Sequence, residues 1–193
     1  MQTQVDVRCP QCHVDGQVSM LSMSSEIPYF GEHTQITVIC DSCGWKHTDF
    51  IPSDGDKVGF WSILIDSQEK NSARIIRSSS CTIRIPELDL EVSPGGSSSG
   101  YITNIEGVLV RFTDAVRSVI RDLEEGDPDF LAAQDLLHSL LSTIEGSDVL
   151  TLELLDPRGR SQIINEDADS RDLYEWEIAT LSTGPDIPVF EID

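Results

Sequence analysis

The residues with the clearest chemistry are cysteines. Five occur, and four form two C-x-x-C pairs, Cys9-Pro10-Gln11-Cys12 and Cys40-Asp41-Ser42-Cys43, with 27 residues between the pairs. In a reducing compartment such knuckles signal metal more often than disulfide. Four thiolates complete a tetrahedral shell about 2.3 Å from one zinc ion and leave no open position. The predicted ligand set is therefore Cys9, Cys12, Cys40 and Cys43 around one Zn2+. The separation exceeds the roughly 15–20 residues of the common two-knuckle motif, so the intervening segment must make an excursion of its own. Pro10 stiffens the first knuckle, and Gly44 can take the positive φ that turns backbone N–H groups toward the sulfurs. A redox pair would need a helix N-terminus in a βαβ setting, and neither knuckle opens a helical repeat. His13 and His47 lie near the knuckles and could replace a thiolate, but with four Cys available they read as neighbours of the site or surface groups; His33 and His138 carry no signal, and Cys81, within SSSCTIRI, reads as a small core thiol.

The knuckles need short strands to hold them. Gln17–Ser22, Ile36–Cys40 and Thr48–Ile51 supply these, and Pro52 to Gly55 breaks the pattern, so residues 1–52 are expected to form a zinc ribbon and residues 53–193 a second unit. There, Val58–Ile65, Ala73–Ile85 and Pro86–Val92 read as β, followed by the loop SPGGSSSG at 93–100. Thr103 and Glu106 are spaced as a capping box. Ile105, Val108, Leu109, Phe112, Val116, Val119, Ile120 and Leu123 trace one helix face up to Gly126. Asp127 and Pro128 start a second helix through Phe130, Ala133, Leu137, Leu140, Leu141 and Ile144 to Gly146. The short connection predicts an αα-hairpin insertion at about 104–146, with its stripes turned to the core. Val149–Leu155, the D-P-R-G turn and Arg160–Ile164 read as two strands around a turn. Glu166–Asp172 reads as a charged loop, and Tyr174–Leu181 and Ile187–Ile192 as final strands, with Pro185 and Pro188 confining the last to an edge. The expected fold class is mostly β with a helical-hairpin insertion.

Charge narrows the function. Asp and Glu number 34 against 13 Lys and Arg, a formal net charge of -21, and only Lys46, Lys57 and Lys70 are lysines. A polyanion repels phosphate backbones, which disfavours generic nucleic-acid binding. The acidity admits two readings: adaptation to a salt-rich cytoplasm, where screening weakens self-repulsion, or an acidic binding surface. The amino-terminal dozen residues hold no apolar run and no stretch is long enough to span a bilayer, so a soluble, cytoplasmic protein is expected. Catalysis finds no support. There is no Gly-Lys for a phosphate-cradling loop, neither HExxH nor GxSxG, and a zinc closed by four thiolates cannot activate water. The expectation is a non-enzyme whose business is binding.

Candidate contact residues each carry two readings. Tyr29 and Phe30, between Pro28 and Gly31, either cover the ribbon's small core or anchor a partner, and Trp45 beside the second knuckle invites the same pair. Glu87, Asp89, Glu91 and Glu106 either form a solvated face or meet a basic partner.

Six segments, in order, resemble the ZPR-type zinc-finger family: C-P-Q-C at 9–12, IPYFGE at 27–32, C-D-S-C-G at 40–44, IPELDLEV at 85–92, T-x-x-E-G-V-L at 103–109 and LLDPRG at 154–159. The resemblance implies a ribbon followed by a β-helix-like barrel with a helical hairpin. Eukaryotic members carry two such modules in tandem. One module is similar to the archaeal branch, which agrees with the acidic, Lys-poor composition. The resemblance further implies binding of translation elongation factor 1A, as a folding chaperone or regulator, by one module alone or by a homodimer replacing the tandem. The rival class is a nucleic-acid- or ribosome-associated zinc ribbon, which needs a basic face; residues 1–50 offer only Arg8 and Lys46.

Overall fold

The computed structural model describes residues 2–28, 31–53 and 58–184. The first sheet consists of β1 (Gln2–Val5), β2 (Val18–Ile27), β3 (Gly31–Cys40) and β4 (Lys46–Pro52), all antiparallel in that order. Register explains its core. Val5 faces Val18, Val18 faces Cys40, and Met20 faces Val38. Because side chains alternate across a strand, these residues share one side, where they are buried with Cys9. The long gap between the knuckles is a hairpin of two ten-residue strands. Tyr29 and Phe30, between these strands in the sequence, lie outside the described residues.

The remaining strands are β5 (Phe60–Ile65), β6 (Arg74–Arg77), β7 (Thr82–Ile85), β8 (Leu90–Val92), β9 (Tyr101–Asn104), β10 (Leu150–Leu155), β11 (Gln162–Ile164) and β12 (Asp169–Arg171). They build a five-stranded sheet, β12-β5-β10-β7-β8, and a three-stranded sheet, β11-β6-β9. Among the described residues neither sheet closes on itself, so the expected β-helix-like barrel is corrected to two open sheets. The alternating Leu150, Leu152 and Leu154, with Ile63, Ile65, Ile83 and Ile85, bury one face of the larger sheet against Ile75 and Ile163 of the smaller. Ile105, Val108, Leu109, Phe112 and Val116 of α1 (Ile105–Arg121) seal this core, and Ala133 and Leu140 of α2 (Pro128–Ile144) add to it. The two helices pack on each other across a short connection at Gly126. No helix among the described residues is long and apolar enough to cross a membrane.

Several local expectations change. Asn104, and not Thr103, caps α1: its side-chain oxygen accepts the Gly107 N–H at 2.8 Å, while Thr103 lies within β9 opposite Ile75. A Cβ on Gly107 would run into the Thr103 hydroxyl and crowd the capping oxygen of Asn104, which favours glycine at this strand-to-helix step. Val119 is 54% exposed although Ile120 and Leu123 beyond it still pack on the core; it borders a shallow apolar groove with Val92 and Leu136. Pro86–Leu88 forms a 3-10 turn, and Asp89 adopts the left-handed conformation before β8 begins. Arg160–Ile164 does not return beside β10; β11 pairs with β6. The segment 166–172 contains β12, paired with β5. Tyr174–Leu181 is not a strand but holds α3 (Glu175–Thr180). There the Glu177 carboxylate accepts the Tyr174 N–H at 2.8 Å and forms a two-bond pair with Arg171 at 2.7 and 2.8 Å, which closes a helical turn that alternation alone cannot foresee. The predicted strand 187–192 lies outside the described residues.

Candidate metal centre

Both knuckles use one local device. The N–H of His13 bonds the Cys9 carbonyl at 2.9 Å, and the N–H of Gly44 bonds the Cys40 carbonyl at 2.9 Å. His13 and Gly44 both have positive φ, 59° and 75°. This folds each C-x-x-C back on itself and brings its two thiols to one side. Closing bonds run from Cys9 N to Val14 O, 3.0 Å, and from Cys40 N to Trp45 O, 2.8 Å.

The four sulfurs of Cys9, Cys12, Cys40 and Cys43 lie within 4.8 Å of one another. Across the knuckles, Cys9 Sγ and Cys43 Sγ are 3.7 Å apart, as are Cys12 Sγ and Cys40 Sγ. Thiolates about 2.3 Å from a central ion at tetrahedral corners stand about 3.8 Å apart, so the two 3.7 Å spacings match the cage of one zinc ion. All five cysteines are free of disulfides. Among the protein groups alone, ionisation of the cluster is uneven. Burial opposes charge at Cys9, but backbone N–H groups of Cys12 and Gln11 and the thiols of Cys12 and Cys40 favour its thiolate, which is lowered to about 6. At Cys43 the backbone of Trp45 favours the thiolate, yet the surrounding groups outweigh it and push it up to about 12. A bound dication removes this competition by deprotonating its thiol ligands. Cys81 is far from the set: burial, then the Asp156 charge, push it up to about 12, the state of an inert core thiol.

The ribbon is joined to the rest of the molecule through one buried aspartate, Asp49, and a second, Asp156, holds the turn that Asp49 grips. Asp49 of β4 accepts the Ser79 N–H at 2.9 Å and the Ser79 hydroxyl at 2.8 Å, with Arg160 Nη1 3.7 Å away. Asp156 accepts hydroxyls from Ser78, Ser80 and Ser161 at 2.7, 2.6 and 2.7 Å, and the N–H groups of Arg158 and Arg160. The Ser78–Ser79–Ser80 turn is thus held from both sides, once from the ribbon and once from the D-P-R-G turn. Gly100 N–H to Thr48 O, 2.7 Å, adds a main-chain tie. This joint was missed in the sequence because an Asp destined for burial looks like any other acid.

The predicted contact residues are dispersed. Trp45 is half-buried, stacked on His47 with ring centroids 6.0 Å apart, and packs on the ribbon core. Glu87 is engaged, accepting the Thr151 N–H at 3.0 and 3.1 Å. Glu106 is exposed in the first turn of α1. Sequence reasoning overlooked Tyr174 and Trp176, stacked at 6.1 Å and exposed by 54% and 66%, because the segment was read as a strand.

Comparison with known proteins meets this geometry at both ends of the chain. Residues 3–53 match the ZPR1 zinc-finger domain and residues 69–182 the ZPR1 jelly-roll domain. The chain belongs to the ZPR1 family. It is 34% identical over 184 residues to a ZPR1-like protein of Pyrococcus horikoshii, covering 94% of this chain and 82% of that protein. It is also 34% identical over 176 residues to a ZPR1-like protein of Methanocaldococcus jannaschii, 91% of this chain and 88% of that one. Similarity extends to the zinc finger chaperone zpr1 of Schizosaccharomyces pombe, 30% identical over 165 residues, where 81% of this chain matches 35% of the yeast protein. The ZPR1 zinc-finger domain and the ZPR1 jelly-roll domain are the family architecture present here, and the jelly-roll match spans all strands of the two open sheets but β5.

Proposed function

We propose that this ZPR1-family module is a non-catalytic, cytoplasmic protein-interaction unit that binds translation elongation factor 1A as a folding chaperone or regulator. The observation that carries the reading is the closed sulfur cage: four thiols at tetrahedral spacing leave a zinc ion no vacant position, so the metal contributes shape and not reactivity. The name of the yeast relative, zinc finger chaperone, supports the chaperone class, and the elongation factor is the client that the family resemblance implies. In this reading residues 1–52 are one unit and 53–193 the other, with α1 and α2 inserted between jelly-roll strands. Tyr29, Phe30, Trp45, Glu87 and Glu106 are the first contacts to test. Two copies pairing would reproduce the tandem arrangement of longer relatives.

The test is capture of purified archaeal elongation factor 1A by the full chain, with GDP, with GTP and without nucleotide, and with the mass of the complex measured by light scattering. Binding by the wild-type protein and loss of binding in Cys40→Ser are expected. Failure of the wild-type chain to capture the factor in every nucleotide state sinks the client assignment. A mass with one or with two module copies per factor decides between a lone module and a pair.

A further inference from the structure

An open cleft of about 560 Å³ is bounded by the 93–99 loop, β9 and the 108–115 stretch of α1. Its composition runs against the rest of the molecule. The chain carries 34 acidic residues, yet the described cleft lining contains Arg77 and Arg111 and neither Asp nor Glu. Between them stands Tyr101, the register partner of Arg77 in the β6–β9 pair. The Arg77 guanidinium carbon is 5.4 Å from the Tyr101 ring centroid and that of Arg111 is 4.4 Å from it. Two like charges thus share one ring, within about 10 Å of each other, so that an anion seated between them is attracted by both.

Arg77 makes the point sharper. It is 5% exposed, and its hydrogen bonds go to neutral acceptors: the Ser98 hydroxyl at 3.1 Å and the carbonyls of Ser99 and Cys81 at 3.2 and 2.8 Å. Its Nε has no partner among the described residues. No carboxylate among the described residues forms an ion pair with either Arg77 or Arg111, whereas Arg84, Arg117 and Arg171 each have one. A buried charge without a counter-charge is costly. Burial raises Tyr101 above the ordinary phenol range, against the pull of the two arginines, so its hydroxyl stays protonated and able to donate. Ser93 and Ser98 line the same cleft and add hydroxyls, while Val108 and Phe112 give it an apolar wall.

We infer that this cleft is an oxyanion-binding site, in which Arg111 and Arg77 pair with a carboxylate or phosphate group and the apolar wall takes the body that carries it. Guanidinium pairs with both oxyanions in two-bond geometry, and the volume is that of a small-molecule site and far larger than a bare ion needs. The site is independent of the zinc cage and of the client assignment.

Probes with one body and three head groups test it: benzoate, phenyl phosphate and neutral benzamide, titrated into the zinc-loaded full chain and followed by chemical shifts of the Tyr101 ring and by calorimetry. At least one of the two anions is expected to bind ten-fold or more tightly than benzamide. Arg111→Gln, on an exposed helical face, is expected to keep the melting temperature and weaken that anion at least ten-fold. Tyr101→Leu is expected to weaken it as well. Selective binding of benzoate identifies a carboxylate site, and selective binding of phenyl phosphate a phosphate-ester site. Equal affinity for benzamide and both anions, or undiminished affinity in Arg111→Gln, overturns the inference.

Discussion

The ribbon and the jelly-roll solve the same problem by opposite means. In the ribbon the buried apolar set is Val5, Val18, Met20 and Val38 with Cys9 and Cys40, too small a core to offset the chain entropy of fifty residues. In the jelly-roll, two sheets and two helices enclose an apolar core dominated by Ile and Leu. The first unit is therefore held by a metal and the second by burial, and each should fail under a perturbation that the other survives.

Removing zinc tests the difference most severely. Structural zinc supplies on the order of 10–16 kcal/mol of folding free energy at neutral pH. Chelation, or Cys40→Ser, is expected to unfold residues 1–52 and leave the jelly-roll amide signals in place. Loss of both sets of signals would show that the jelly-roll depends on the ribbon. Leu152→Ala reverses the test. Leu152 is fully buried, and a large-to-small change at such a site costs about 2–5 kcal/mol. The jelly-roll melting temperature should fall while zinc content, measured by thiol-protected metal assay, stays at one per chain.

Asp49→Ala probes the joint. It leaves the buried Ser79 N–H and hydroxyl without their acceptor, a cost of about 1–3 kcal/mol. The two units should then melt in separate steps by calorimetry instead of one, with zinc retained. A single unchanged transition would mean that the main-chain tie at Gly100 suffices.

The smallest expected effects are those of pH, and they fall in different windows. Burial lowers His33 and His47, with Asp49 opposing at His47. For these groups the unfolded chain takes up protons first, so ribbon stability is full above about pH 6.5 and declines as pH falls below it. His47→Phe should flatten that decline. The Arg171 hydrogen bonds hold the Glu177 carboxyl below its usual range. Its contribution is present above about pH 4.3 and is lost on further acidification through the folded value. The Trp176 indole signal should report this step in wild-type protein and not in Glu177→Gln.

What the sequence discloses tracks how local each cause is. The zinc ligands follow from two C-x-x-C spacings, and the helices from long apolar stripes, so both were legible. Strands β1, β9 and β12 were not, because three or four residues acquire strand character only from a partner distant in the chain. α3 depends on one Arg171–Glu177 pair. Asp49 and Asp156 gave no signal, since what distinguishes them from the exposed acids is the serine turn that folding brings to them.

The position of Asp49 along its strand has a mechanical corollary. It faces Ile36 of β3, four residues from Cys40 and five from Gly31. At about 3.4 Å per residue the anchorage lies about 14 Å from the sulfur end and about 17 Å from the hairpin end. The sheet is therefore held near its midpoint by the serine turn, with the sulfur end and the hairpin end projecting from that hold by nearly equal lengths.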